Sequence, residues 1–200
     1  MEMEANMSKQ KNRIVFFLAV LVLLSPIYAS QSPMVDRLTK AAEKGNVDAM
    51  LTLALMYAEG NSVKKDSQET IKWYNKACDA GSTDAMLCLG VVYEEGSLAE
   101  KDINKAIGYF TLAAEAGDSE SMFHVASIYY SGQDVGQDYT LAVHWFERAT
   151  KAGHQDAPYW LAMMYEQGLG VSKDIQKAKQ LYQKAADAGN QAAQEKLKTL

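Results

Sequence analysis

The stretch Ala85-Met86-Leu87-Cys88-Leu89-Gly90-Val91-Val92-Tyr93-Glu94-Glu95-Gly96 returns three more times in altered form. Residues 49–60 read AMLTLALMYAEG, residues 121–132 read SMFHVASIYYSG and residues 157–168 read APYWLAMMYEQG. The interval is 36 residues, and columns outside the stretch keep it. Asp66, Asp102, Asp138 and Asp174 form one; Ala41, Ala77, Ala113, Ala149 and Ala185 another; Gly45, Gly81, Gly117, Gly153 and Gly189 a third. A fixed period of this length marks a repeat array, in which each unit buries its apolar face against its neighbours.

Each unit reads as two helices. In the first, Ala49, Leu53, Met56 and Tyr57 make one apolar stripe at helical period. Asn46, Ser82, Asp118 and Asn190 stand where a side-chain acceptor caps the opening turn, with His154 a poorer cap in the same column. Asp48, Asp84, Glu120 and Asp156 follow, negative charge suited to a helix N-terminus. Gly60 and its equivalents close this helix. The second helix opens at Asp66, whose spacing to Glu69 is that of a capping box. Its inward stripe is Thr70, Tyr74, Ala77 and Cys78, with Trp73 beside it. The equivalent stripes pair Phe110, Phe146 and Tyr182 with alanines, letting helices approach closely. A leading helix over 33–44 and a closing helix over 190–200 cover the open ends of four repeats spanning 45–188, ten helices in all.

Ahead of this array, Lys9, Lys11 and Arg13 precede an apolar run from Ile14 to Leu24, then Ser25-Pro26 and the small-residue stretch ending at Ala29. This reads as a secretory signal peptide over 1–29 with cleavage after Ala29, an uncleaved N-terminal anchor being the alternative. The run is short of the roughly 20 apolar residues of a stable membrane span. Losing residues 1–29 removes Glu2, Glu4, Lys9, Lys11 and Arg13, taking the formal charge from −5 to −6. The repeat domain, residues 30–200, is then expected in the periplasm or outside the cell. The acidic balance leaves no basic face for nucleic acid.

Chemistry-bearing constellations are sparse. Ser62-Val63-Lys64-Lys65 has the Ser-x-x-Lys spacing of serine β-lactam enzymes, but no partner motif follows, and Lys65 shares a column with Lys101, Gln137 and Lys173 in the inter-helix loop. His124, His144 and His154 are scattered, without the spacing of a metal site. No catalytic residue, metal or cofactor is therefore assigned.

The columns carry a family resemblance. Ala49-x-x-x-Leu53-Ala54-x-x-Tyr57-x-x-Gly60, Val63-x-x-Asp66, Trp73-Tyr74-x-x-Ala77 and Gly168-Leu169-Gly170-Val171-x-x-Asp174 resemble the Sel1-like repeat, related to tetratricopeptide arrays. The resemblance covers about residues 34–200. It implies an all-α fold, an α/α right-handed superhelical solenoid with a concave groove lined by the first helices. On that basis the partner-binding groove falls to Leu51, Leu55, Leu87, Val91, Glu94, Phe123, Tyr130, Tyr159, Met163 and Glu166, aromatic and aliphatic anchors rimmed by acids. The implied function is a non-enzymatic, extracytoplasmic scaffold or regulator that binds another protein. Two alternatives come with the resemblance: an immunity protein neutralising a toxic effector such as a secreted lipase, and an enzyme acting on β-lactams or peptidoglycan. Secreted relatives often bridge adjoining helices through cysteines at a shorter spacing. Cys78 and Cys88 accordingly read either as a disulfide between units one and two or as two small core residues.

Overall fold

The computed structural model describes residues 32–200, which form ten α-helices and, among the described residues, no strand. The leader read in 1–29 lies outside the described residues. A leading helix α1 (Pro33–Glu43) has Pro at its start and Ser32 as its cap. Four helix pairs follow: α2 (Val47–Glu59) with α3 (Ser67–Asp79), and α4 (Thr83–Glu95) with α5 (Ile103–Glu115). Then come α6 (Ser119–Ser131) with α7 (Tyr139–Lys151), and α8 (Ala157–Gln167) with α9 (Ile175–Asp187). The closing helix α10 runs Gln191–Thr199. Every substantial packing partner of a helix is its immediate chain neighbour, so the array is a solenoid of stacked pairs.

The repeated residues are repeated because each holds a junction. In every unit the aspartate before the second helix donates its backbone N–H to the tyrosine carbonyl of the first. Asp66 to Tyr57, Asp102 to Tyr93, Asp138 to Tyr129 and Asp174 to Tyr165 span 2.9–3.0 Å. The same aspartate side chain accepts from the first turn of the second helix, as Asp66 does from Gln68 and Glu69. The capping box read at Asp66–Glu69 is not completed. Tyr57 has taken the Asp66 N–H, and the Glu69 carboxylate accepts from Lys72 Nζ at 2.7 Å instead.

At the other corner, the residue before each first helix serves two helices at once. Ser82 donates its N–H to the Ala77 carbonyl at 3.0 Å while its hydroxyl accepts from Ala85 N at 3.2 Å. Asn46, Asp118 and Asn190 repeat this pattern. Inside, Ala77, Ala113, Ala149 and Ala185 are fully buried, as are the rings of Phe110 and Tyr182. Gly90 makes room for the Phe110 ring, which a Cβ there would overlap, and burial of each ring supplies about 2–3 kcal/mol. The core forms two clusters bridged by Tyr93, which packs on both and stacks on Tyr109 with centroids 5.8 Å apart. Among the described residues, no helix is long and apolar enough to cross a membrane.

Candidate partner-binding face

With about 100° between successive residues, positions 48, 52, 55 and 59 of α2 fall on one narrow arc. The arc is open: Asp48, Thr52 and Glu59 are exposed, and Leu55 is half-buried. The equivalent arc of α4 has Asp84 and Glu95 exposed and Val91 half-buried. Ser127 of α6 and Met163 of α8 continue the central row, also half-buried. The four first helices thus present a row of Leu55, Val91, Ser127 and Met163, with acids along its edges. Leu51, Leu87 and Tyr159 flank the row, half-buried.

Three of the sequence-assigned residues work between repeats. Glu94 Oε2 lies 3.7 Å from His124 Nδ1, Tyr130 meets Trp160 edge-on at 5.5 Å, and Glu166 accepts from Lys196 Nζ at 3.0 Å. The separation is 30 residues each time, so this is one recurring contact from the end of one first helix to the middle of the next. Its chemistry changes at every step: acid with imidazole, ring with ring, acid with ammonium. Sequence reasoning missed the partners His124, Trp160 and Lys196. A search for complementary pairs at an interval of 30 rather than 36 would have found them.

Phe123 is not the exposed anchor that the groove reading makes it: only 7% of its surface remains accessible. The cause is His154, whose ring stacks on Phe123 with centroids 4.3 Å apart and planes within 7°, while Phe146 meets it edge-on at 5.5 Å. His154 also departs from its reading as a poorer cap. Its Nδ1 accepts from both Asp156 N and Ala157 N at 3.2 Å, and its ring is buried. With Nδ1 an acceptor, Nε2 carries the proton and donates to Glu120 Oε2 at 3.3 Å. The longer side chain displaces the start of α8, which begins at Ala157 and carries Pro158 in its first turn.

Both cysteines are free thiols, so the bridge between Cys78 and Cys88 is not formed. The Tyr74 hydroxyl holds Cys88, whereas Cys78 sits beside Asp79 and near Tyr109. Burial pushes the Cys88 thiol up to about 11, the Tyr74 hydrogen bond opposing and the Asp84 charge adding. Cys78 is raised too, by burial and then by Asp79. Ser62 of the Ser-x-x-Lys stretch lies on an exposed turn with φ +61°, its hydroxyl donating to Asn61 Oδ1 at 3.5 Å. His144 is exposed and meets Trp145 edge-on. Among the described residues, no group of three or more His, Cys, Asp or Glu is placed to hold a metal ion.

Lysine and arginine are absent from the first helices α2, α4, α6 and α8, while the second helices carry both signs of charge. Asp48, Glu59, Asp84, Glu94, Glu95, Glu120 and Glu166 lie on those first helices. On the second helices, Lys76 and Arg148 lie 4.3 Å over the rings of Trp73 and Trp145. The acids at helix N-termini are favoured there by the helix dipole. Glu59 and Glu95 occupy C-terminal turns, where a negative charge is disfavoured by about 0.3–1 kcal/mol. Burial alone would raise the Glu166 carboxyl, but the Tyr182 hydroxyl and Lys196 outweigh it and hold it below the usual carboxylate range.

Stacked helix pairs with an open first-helix face define an α/α repeat solenoid. The Sel1 repeat matches residues 47–82, 83–118, 119–154 and 156–190, and the chain belongs to that family. Solved structures similar to it include a protective antigen of uropathogenic Escherichia coli with this repeat fold, 32% identical with a TM-score of 0.76. That match covers 82% of this chain but 35% of the E. coli protein, so this chain spans about a third of that relative's length. A Sel1 repeat protein from Oxalobacter formigenes is 33% identical with a TM-score of 0.67, covering 82% of this chain and 73% of that one. The cysteine-rich protein B of Helicobacter pylori is 25% identical with a TM-score of 0.51, covering 67% of this chain and 96% of that one. No curated protein sequence matches the chain.

Proposed function

We propose that this chain is a non-enzymatic binding module that captures another protein on the open face of α2, α4, α6 and α8, and that it works outside the cytoplasm. The observation that carries the reading is the contrast between columns within the chain. Positions that pack keep one kind of side chain, alanine at 77, 113, 149 and 185 and apolar chains at 56, 92, 128 and 164. Positions on the open row do not: leucine, valine, serine and methionine stand at 55, 91, 127 and 163. Stacking constrains the first set in every unit alike, whereas a surface fitted to one partner has no reason to repeat. Half-buried aliphatic side chains on an otherwise polar layer suit the anchor positions of an interface. The basic and apolar leader read in residues 1–29 supports the extracytoplasmic setting.

The test is Leu55→Asp combined with Val91→Asp. Both residues lie on the open arc, so helical content by circular dichroism should hold. A tagged wild-type chain, expressed in its native host, should retain a protein that the double variant does not. Identical captured proteins from the two chains would overturn the reading.

A further inference from the structure

We propose that the outward face of α1 binds an acidic amphipathic helix of another protein, which completes an unfinished helix pair from outside. This surface is the α1 end of the stack, apart from the open face of α2, α4, α6 and α8.

By register α1 is a second-type helix. Met34, Leu38 and Ala41 stand 36 residues before Thr70, Tyr74 and Ala77, the inward stripe of α3. In the four complete pairs that stripe is closed. Thr70, Ala106, Ala142 and Ala178 are fully buried in the Met34 column, as are Ala77, Ala113, Ala149 and Ala185 in the Ala41 column. In α1 it is open: Met34 is 52% exposed, and Leu38 and Ala41 are half-buried. The helix that follows is not the difference, because Val35 and Ala42 are buried in the same cluster as the core residues of α2. The helix that precedes is. A Cβ on Gly90 of α4 would overlap the Phe110 ring of α5, and Phe123 of α6 meets Phe146 of α7 edge-on. The ring column, to which Leu38 belongs, is thus covered by the first helix of its own pair. Among the described residues, no first helix precedes α1.

The two ends of the stack are finished differently. A unit that only terminates a solenoid carries a polar outer face. α10, a first-type helix, does so. Gln194 takes the column of Met50, Met86, Met122 and Pro158, and Lys198 that of Ala54, Gly90, Ala126 and Ala162. Both are exposed, and Lys198 pairs with Glu195 at 2.7 Å. α1 instead keeps methionine and leucine at its outward stripe. The same lysine disfavours a second copy as the occupant. Stacking α10 of one copy on α1 of another would set Lys198, at the Gly90 position, against Leu38 and bury an ammonium there.

Charge sets the rest of the occupant's chemistry. Arg37 and Lys44 lie three residues from Met34 and Ala41 and so border the stripe, with Lys40 on the same side. All three are exposed, and their side chains make no ion pair or hydrogen bond among the described residues. An incoming helix with an apolar stripe on Met34, Leu38 and Ala41 meets that border best with carboxylates. The first helices that cover this stripe in the complete pairs are themselves acidic, without lysine or arginine.

The experiment uses a fluorescein-labelled peptide of residues 46–60, the sequence of α2 with its caps. A scrambled-order peptide and one carrying Asp48→Lys and Glu59→Lys serve as comparisons. Anisotropy is read against the full chain. The native-order peptide should bind saturably, about tenfold or more tighter than the scrambled one and about fivefold tighter than the lysine form. Met34→Asp in the chain should weaken it about tenfold, and Arg37→Glu with Lys44→Glu about fivefold. Met34→Leu should hold it within about twofold, as should Leu112→Asp at the exposed leucine of α5. Circular dichroism should show wild-type helicity in every variant. No saturable binding, equal binding of the scrambled or lysine peptide, or equal losses in Met34→Asp and Leu112→Asp would overturn the proposal. So would self-association of the chain that Met34→Asp abolishes, since a second copy would then hold the face.

Discussion

Replacing Phe123 by alanine separates a structural role from a binding role at the residue where the two readings diverge. The ring is 7% exposed, stacked on His154 at 4.3 Å and edge-on to Phe146 at 5.5 Å. Truncating a buried phenylalanine costs about 3–5 kcal/mol through lost transfer energy and the cavity left behind. Here the lost stack also frees the His154 ring, whose Nδ1 accepts the two amides that open α8. For a domain of this size, each kcal/mol moves the midpoint by about 2–4 °C, so a fall of roughly 6–20 °C is expected. Urea unfolding followed at 222 nm gives the free energy. Hydrogen exchange should place the loss at α6, α7 and α8 rather than at α2 and α3, because solenoid repeats couple to their neighbours. Partner capture by this variant should fall only as its unfolded fraction rises. A stability loss under about 1 kcal/mol with capture abolished would refute the burial argument and restore Phe123 to the binding surface.

Other outcomes follow from single contacts. A Cβ on Gly170 would stand 2.3 Å from the Tyr139 carbonyl carbon, at φ +68°, so Gly170→Ala should destabilise by about 2–4 kcal/mol in thermal or urea melts. Ser62, at the same place in the first repeat with φ +61°, serves as the control: Ser62→Gly should be neutral or stabilising by up to about 1 kcal/mol. Because the Glu166 carboxyl is held low in the folded chain, its contribution is present above the ordinary carboxylate pKa of about 4 and is lost as pH falls through the lower folded value. Acidification should therefore loosen α10 in hydrogen exchange, and Glu166→Gln should remove that pH dependence. Unreduced protein should show two free thiols, with Cys88 labelling about tenfold or more slowly than Cys78 at pH 8 because burial raises its thiol to about 11. Finding no free thiol would contradict the structure.

The sequence columns disclosed the fold because packing asks the same question in every unit. Ala77, Ala113, Ala149 and Ala185 are each fully buried, and Asp66, Asp102, Asp138 and Asp174 each close a loop on a tyrosine carbonyl. Residues answering to one neighbour in one repeat were harder to read. Phe123 shares a column with Leu51, Leu87 and Tyr159, all half-buried, and the His154 imidazole of the next cap column, together with Phe146, buries it. The groove reading makes Glu94 and Glu166 rim acids and Tyr130 an aromatic anchor, whereas each has a partner 30 residues on, out of step with the repeat. The absence of cations from the first helices was visible in the sequence, but it acquired meaning once those helices were seen to share one face.

Photo-crosslinking tests the central claim most directly. A benzophenone side chain placed at position 55, 91 or 112 in the native host reports which layer meets the partner. Leu112 is the control, a leucine 53% exposed on α5 of the second-helix layer. Adducts to one protein from positions 55 and 91, with none from 112, are predicted. An adduct from 112 with none from 55 or 91 would contradict the account.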